Sequence, residues 1–271
     1  MQHTGGDLLE IPLGMAMNAV DVFLLVFVRM TGLFVIAPIF SRRNVPTGIK
    51  IGFSFLLAII LMNTVTMPEL DSYRNIYQYS LLIAKEFIVG IAIGYVAYLI
   101  FIGIYMAGQI IDMQIGFGMV NVIDPMSNIQ VPITSNFYFI LCMLLFLMAN
   151  GHHILIKALF ESYKFIPLGG AVFGTDLMND MLRAFGNIFI IGFKISAPIV
   201  AAILVTDIAL GVISKTVPQL NVFVVGMPLK ILLGLAVMIL TIPLFVSIVD
   251  MLIHGMSSEM LNFIKDMGLK K

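Results

Sequence analysis

Long apolar runs separated by short polar breaks dominate the chain, and the runs have the length of membrane-crossing helices. Apolar residues fill 20–40, interrupted by Arg29 and ending near Pro38. The next run, 49–67, is closed by Pro68, and a third spans 81–111, long enough to tilt strongly or break. A fourth covers 133–149. The fifth, 188–213, contains Lys194, Pro198 and Asp207, and the sixth, 222–253, is interrupted by Pro228, Lys230 and Pro243. A helix needs about 20 apolar residues to cross the hydrocarbon core. The runs are continuous and do not alternate with period two, which predicts helices and not barrel strands. The expected fold class is an all-α integral membrane protein with about six long apolar helices.

Two connections are longer than the rest. Residues 112–132 carry Gly116, Gly118, Pro125 and Pro132 among Asn121, Asp124, Ser127 and Asn128. Gly and Pro punctuate a chain into loops, so this stretch is expected to be one. Residues 150–186 form the longest piece not expected to span, and the best boundary between two portions. No strong internal repeat is visible.

Composition sharpens this picture. Hydrophobic residues make up 60% of the 271, and charged residues only 11%, against about 25% in a soluble domain. Such a chain cannot build a polar shell. Its formal net charge is zero, without a basic block, which argues against a phosphate-neutralising surface and hence against nucleic-acid binding. The single Cys142 excludes an intrachain disulfide framework and a multi-cysteine metal site. The start of the chain lacks the basic residues of a secretory signal, with no Lys or Arg before Arg29, so the first apolar segment is expected to be retained. Positive charge does not settle the orientation. Arg42, Arg43 and Lys50 place the first connection in the cytoplasm, while Arg74, Lys157, Lys164, Arg183, Lys265, Lys270 and Lys271 fall on the other side of a six-span arrangement. Either the span count differs or the protein is not a plain bundle.

Charges within apolar segments are costly and face protein or a water-filled cavity. The candidates are Arg29, Glu86, Asp112, Lys194, Asp207 and Lys230. They could line a proton or ion path, or they could form buried ion pairs that fix helix register between subunits. Their scatter over different segments, with no recognisable relay, favours the second reading. Gly48 with Gly52, and Gly90 with Gly94, have the four-residue spacing that lets helix backbones approach closely. His152 and His153 are neighbours and point in different directions on a helix, so they are a poor ligand pair for one metal. No motif sets a nucleophile beside a base, and no catalytic residue, metal or cofactor is expected. The segment Gln114, Ile115, Gly116, Phe117, Gly118 and Met119 combines glycine freedom with bulky apolar side chains. It could plug a conduit, or it could be an ordinary surface loop.

Several longer motifs carry a resemblance. These are RMTGLFVIAP (29–38) followed by Val45-Pro46, KEFIVGIAIG (85–94), AGQIIDMQIGFG (107–118) followed by Asp124-Pro125, and FLMANGHH (146–153) followed by Ser162 and Pro167-Leu168-Gly169. The most specific is DIALGVISKTVPQLNVFVVGMPLK (207–230). In this order, along nearly the whole chain, they resemble the FliR family of the type III export gate. Lys215 stands where many members have Arg, which keeps the charge. The resemblance implies a FliP-like portion over 1–185, including a central gate loop at 112–132, followed by a FliQ-like helical hairpin over 186–271. Lys215, Pro218, Gln219 and Asn221 would form the turn of that hairpin. It further implies bent helical hairpins, assembly with FliP and FliQ, and association with FlhB and FlhA. The setting would be the bacterial inner membrane at the flagellar basal body. Residues 114–119 would then lie in the conduit through which unfolded rod, hook and filament proteins pass. Phe117 and Met119 are suited to seal it and yield to a moving chain.

Two alternatives remain at this level. An injectisome gate subunit would share the architecture, though PQLNVFVVGMPLK (218–230) looks more flagellar. A small secondary transporter or channel would have repeated halves with broken helices around a midplane site. Pro198 and Pro243 could mark such breaks, but the two halves are unequal.

Overall fold

The structure, a computed structural model, describes residues 7–41, 45–62, 64–65, 76–117, 132–219 and 221–268. Among the described residues there are seven helices: α1 (Asp7–Ile36), α2 (Thr47–Met62), α3 (Ile76–Ile115), α4 (Ile133–Met148), α5 (Gly151–Phe165), α6 (Thr175–Thr216) and α7 (Val222–Met267). The apolar runs thus became helices, and the described residues form an all-α membrane protein.

The described residues hold fewer than six candidate spans. Among them, four helices are long and apolar enough to cross a membrane, namely α3, α6, most of α1 (Asn18–Ile36) and most of α7 (Val224–Met267). A fifth span exists only if α4 and α5, bent by 65° at their junction, count as one. Helix α2 has 16 residues, about 24 Å of rise, which falls short of the hydrocarbon thickness. The α4–α5 break sits at Asn150, whose φ of 56° is left-handed, a conformation Asn tolerates better than most residues. With four or five candidate spans among the described residues, the side assignments assumed for six no longer apply.

Helix α3 also runs further than its apolar stretch. Asp112, Gln114 and Ile115 lie on its last turn and not in a loop. Ile111 and Ile115 are buried, so packing carries the helix past the charge. Gly116 ends it with φ 100°, a left-handed geometry only glycine adopts freely. Residues 118–131, the rest of the expected gate loop, lie outside the described residues, and Gly118 and Met119 with them.

Two compact units emerge, interleaved in sequence. One contains 1–98, 152–181 and 256–271, and the other 99–151 and 182–255. The chain passes between them inside α3, α6 and α7 and near the start of α5. Each unit draws on both sides of residue 185, and helix α6 runs through that position without a break.

Within the first unit, α1 packs on α2 through aromatic side chains. Phe23, Phe27 and Phe55 form one cluster, and Phe34, Phe40 and Phe53 another. Helices α1 and α3 approach until backbones touch. A Cβ on Gly90 would lie 2.1 Å from the Arg29 carbonyl oxygen, and one on Gly32 would lie 2.4 Å from that of Phe87. Gly94 is pressed against Leu33 and Ile36. The Gly90/Gly94 pair therefore packs as its spacing suggests. Gly48 and Gly52 make no such contact among the described residues, since none of these lies within 4 Å of a Cβ at either.

Within the second unit, α6 and α7 form an antiparallel hairpin. Its register is visible at three levels. Gly226 meets Leu210, Lys230 pairs with Asp207, and Gly234 meets Ile203. Of the most apolar 18-residue stretch of each helix, 17% is buried in α7 and 33% in α6, against 61% in α3. The described residues thus leave most of the apolar surface of the hairpin uncovered.

Candidate functional site

Close packing of α1 on α3 brings Arg29 to Glu86. On α1, Arg29 and Gly32 are three residues apart; on α3, Glu86 and Gly90 are four apart, so each charge shares a face with a contact glycine. Arg29 Nε donates to Glu86 Oε2 at 2.6 Å, and neither side chain is exposed. Arg29 Nη1 donates to Ser162 Oγ at 3.0 Å, and Nη1 and Nη2 both reach the carbonyl of Ile166 at 3.2 Å. Its guanidinium carbon lies 4.1 Å from the ring centroid of Tyr163. The other Glu86 oxygen accepts from the Gly169 backbone N–H at 2.8 Å.

This arrangement is a lock. A planar guanidinium with five donors suits a fixed set of acceptors, which Lys would not satisfy. The Ile166 carbonyl lies just past the C-terminus of α5, where cations are favoured. Gly169, with φ 75°, turns its N–H toward Glu86. The pair therefore ties α1 and α3 to the end of α5 and the turn that leads into α6. All of these residues belong to the first unit. The Arg29–Glu86 pairing is within the chain, where register between subunits had been expected.

In the second unit, Asp112 caps α4. Pro132 holds the N-cap position and provides no side-chain hydrogen bond. The buried Asp112 carboxylate substitutes from α3, accepting from Thr134 N at 3.0 Å, Ser135 N at 3.4 Å and Ser135 Oγ at 3.4 Å. An anion there also complements the positive end of the helix dipole. Gly108, one turn earlier, lets Ser135 approach: a Cβ would sit 2.2 Å from its Cα. The two ends of the expected gate loop are thereby held together. Beside them lies an apolar hollow of about 250 Å³, lined by Phe117, Ile133, Phe137, Leu235, Met238 and Ile242 among others. Gln114 and Phe117 are half-buried, and Ile115 packs against Gly234. Replacing Asp112 by alanine removes the cap, worth about 1–2 kcal/mol. Amide hydrogen exchange at 134–136 should then speed up about 5- to 30-fold. Unchanged exchange would show that the cap is idle.

The remaining predicted charges are not buried within the chain. Asp207 and Lys230 pair across the α6–α7 hairpin with side chains 39% and 25% exposed. Lys194 is exposed on α6. Lys215 lies on the last turn of α6, Pro218 and Gln219 in the following turn, and Asn221 just before α7, all exposed. Sequence reasoning missed the roles of Ser162, Tyr163, Ile166 and Gly169 in the lock, and of Thr134 and Ser135 in the cap. The one available signal was that Ser162 and Gly169 fell inside the resemblance motifs.

These features define a multi-pass, all-α membrane protein held by intramembrane polar contacts and ending in a long, largely uncovered helical hairpin. The model of bacterial export proteins, family 1, matches residues 20–256, and the chain belongs to that family. It is 41% identical over 223 residues to the flagellar biosynthetic protein FliR of Bacillus subtilis (strain 168), covering 80% of this chain and 84% of the relative. Its identity to the Escherichia coli (strain K12) FliR is 28% over 238 residues, 88% and 89% of the two chains. For the Aquifex aeolicus (strain VF5) FliR it is 28% over 225 residues, 82% and 85%.

Proposed function

We propose that this chain is a non-enzymatic subunit of the flagellar type III export gate, assembling with FliP and FliQ to form and close the conduit for unfolded flagellar proteins. One observation carries the reading beyond family membership. The α6–α7 hairpin combines a fixed register with an apolar surface that the chain leaves open. Such a surface suits neighbouring subunits as well as lipid. FlhB and FlhA belong to the same apparatus in this reading, and its place is the inner membrane at the basal body. The relatives above are flagellar, which favours this role over an injectisome one.

The segment at the end of α3 supports a conduit role for Gln114 to Met119. Phe117 lines an apolar hollow, and Asp112 holds the base of the segment. A bulky apolar side chain on a glycine-hinged base can close a pore by excluding water. No residue of the chain is assigned chemistry on a substrate. Clean deletion of the gene is expected to abolish swimming in soft agar and flagellar filaments, and a plasmid copy to restore both. A deletion strain that swims normally would sink the proposal.

A further inference from the structure

Helix α6 carries two apolar faces, and the described residues cover only one. Ile188, Gly192, Ile195, Ile199, Ile203, Thr206 and Leu210 are buried, at spacings of three and four. Displaced by two residues, and hence nearly opposite on a helix, run Ile190, Lys194, Ala197, Ala201, Leu204 and Ile208. All six are exposed. Their spacing of four, three, four, three, four is that of a coiled-coil seam. A helix apolar on both sides is buried in protein or in membrane.

Three observations decide between a protein partner and lipid. First, α6 reaches bilayer length only with charges inside it: residues 184–193, 195–206 and 208–214 are the uncharged intervals between Arg183 and Lys215, whereas 231–249 in α7 is uncharged throughout. Second, Lys194 lies within the apolar length of the hairpin and not at its end. The hairpin register sets Ile195 beside Thr241 and Leu244, so Lys194 is level with Pro243. That is six residues, about 9 Å, inside the nearer end of the uncharged α7 stretch. Lys194 has no ion-pair partner among the described residues. Pro198 lacks an N–H, so the Lys194 carbonyl also loses its helical donor. Third, Ala197 and Ala201 leave room for a backbone beside the charge, which helix packing uses and lipid does not need.

We infer that this face docks a helix of a neighbouring subunit that presents a carboxylate to Lys194. The single cation in an otherwise apolar seam sets which helix docks and in which register, since any other alignment buries Lys194 unpaired. The inference rests on the reading of the chain as an assembly subunit.

The test is tagged purification of the full chain, expressed with the flagellar export-gate subunits. Lys194→Glu and Ala201→Leu are each expected to lower recovery of partner subunits at least tenfold, and Lys194→Arg to retain most of it. None of the three should change the amount of this chain in the membrane, because the seam residues are exposed. A photo-crosslinking amino acid at Leu204 is expected to give protein adducts. Wild-type recovery with both Lys194→Glu and Ala201→Leu, together with lipid adducts alone at Leu204, would overturn the inference and make Lys194 a lipid-phosphate contact. An unmutated chain that recovers no partner subunit would overturn the assembly reading itself.

Discussion

Replacing Arg29 by methionine is expected to remove most of the folded protein from the membrane. The variant strands Glu86 as an unpaired carboxylate with no exposure, and leaves Ser162 Oγ and the Ile166 carbonyl without their donor. Breaking one partner of a buried pair costs about 3–5 kcal/mol. That is comparable to the whole stability margin of many proteins. The steady-state amount of tagged chain should fall several-fold or more, and motility with it. Lys at position 29 keeps the charge but cannot satisfy Glu86, Ser162 and Ile166 together, so it should rescue only in part. The double change Arg29→Met with Glu86→Leu is the informative control. Replacing both ions by apolar side chains can be nearly neutral, so the double variant should accumulate better than Arg29→Met alone. Equal loss in both would mean that the glycine contact and the turn at Gly169, not the charge pair, hold this region.

Substituting Gly90 by alanine should be almost as damaging, although it adds one methyl group. The new Cβ would lie 2.1 Å from the Arg29 carbonyl oxygen and 3.0 Å from Leu33 N. Both obstacles are helix backbone, which cannot rotate away as a side chain can. Overpacking typically costs about 1–3 kcal/mol, and the upper end applies where a whole helix must move. Displacing α1 from α3 would also stretch the 2.6 Å contact between Arg29 and Glu86. The two perturbations are therefore coupled, and combining Gly90→Ala with Arg29→Met should cost less than their sum. Gly48→Ala and Gly52→Ala are the matched controls: with open space at both, they should leave the amount of protein unchanged. Membrane accumulation of the three glycine variants, measured side by side, separates contact glycines from idle ones.

The contrast between these glycine pairs shows what the sequence could carry. Both have the same spacing, and only the partner surface distinguishes them. Helix identity was legible because it depends on local apolar length, a property each run owns. The number of spans was not, because it depends on where a helix stops. Helix α3 continues past Asp112 because Ile115 packs against Gly234, more than a hundred residues away. Helix α4 breaks from α5 at Asn150, a residue that also sits comfortably in ordinary loops. The charges were visible as a set, but pairing is a tertiary property. Arg29 and Glu86 are 57 residues apart, and the acceptor at Ile166 is a backbone carbonyl that no sequence pattern marks. The hairpin at 215–221 was placed through the resemblance and not through periodicity.

The most direct test of the account is purification of the tagged chain from membranes that also contain the flagellar FliP and FliQ. Both are expected to co-purify with it as one stable, detergent-resistant complex, with helix α6 protected in that complex relative to the chain alone. A chain that purifies by itself as a stable monomer, ignores FliP and FliQ, and moves a solute across liposomes would contradict it.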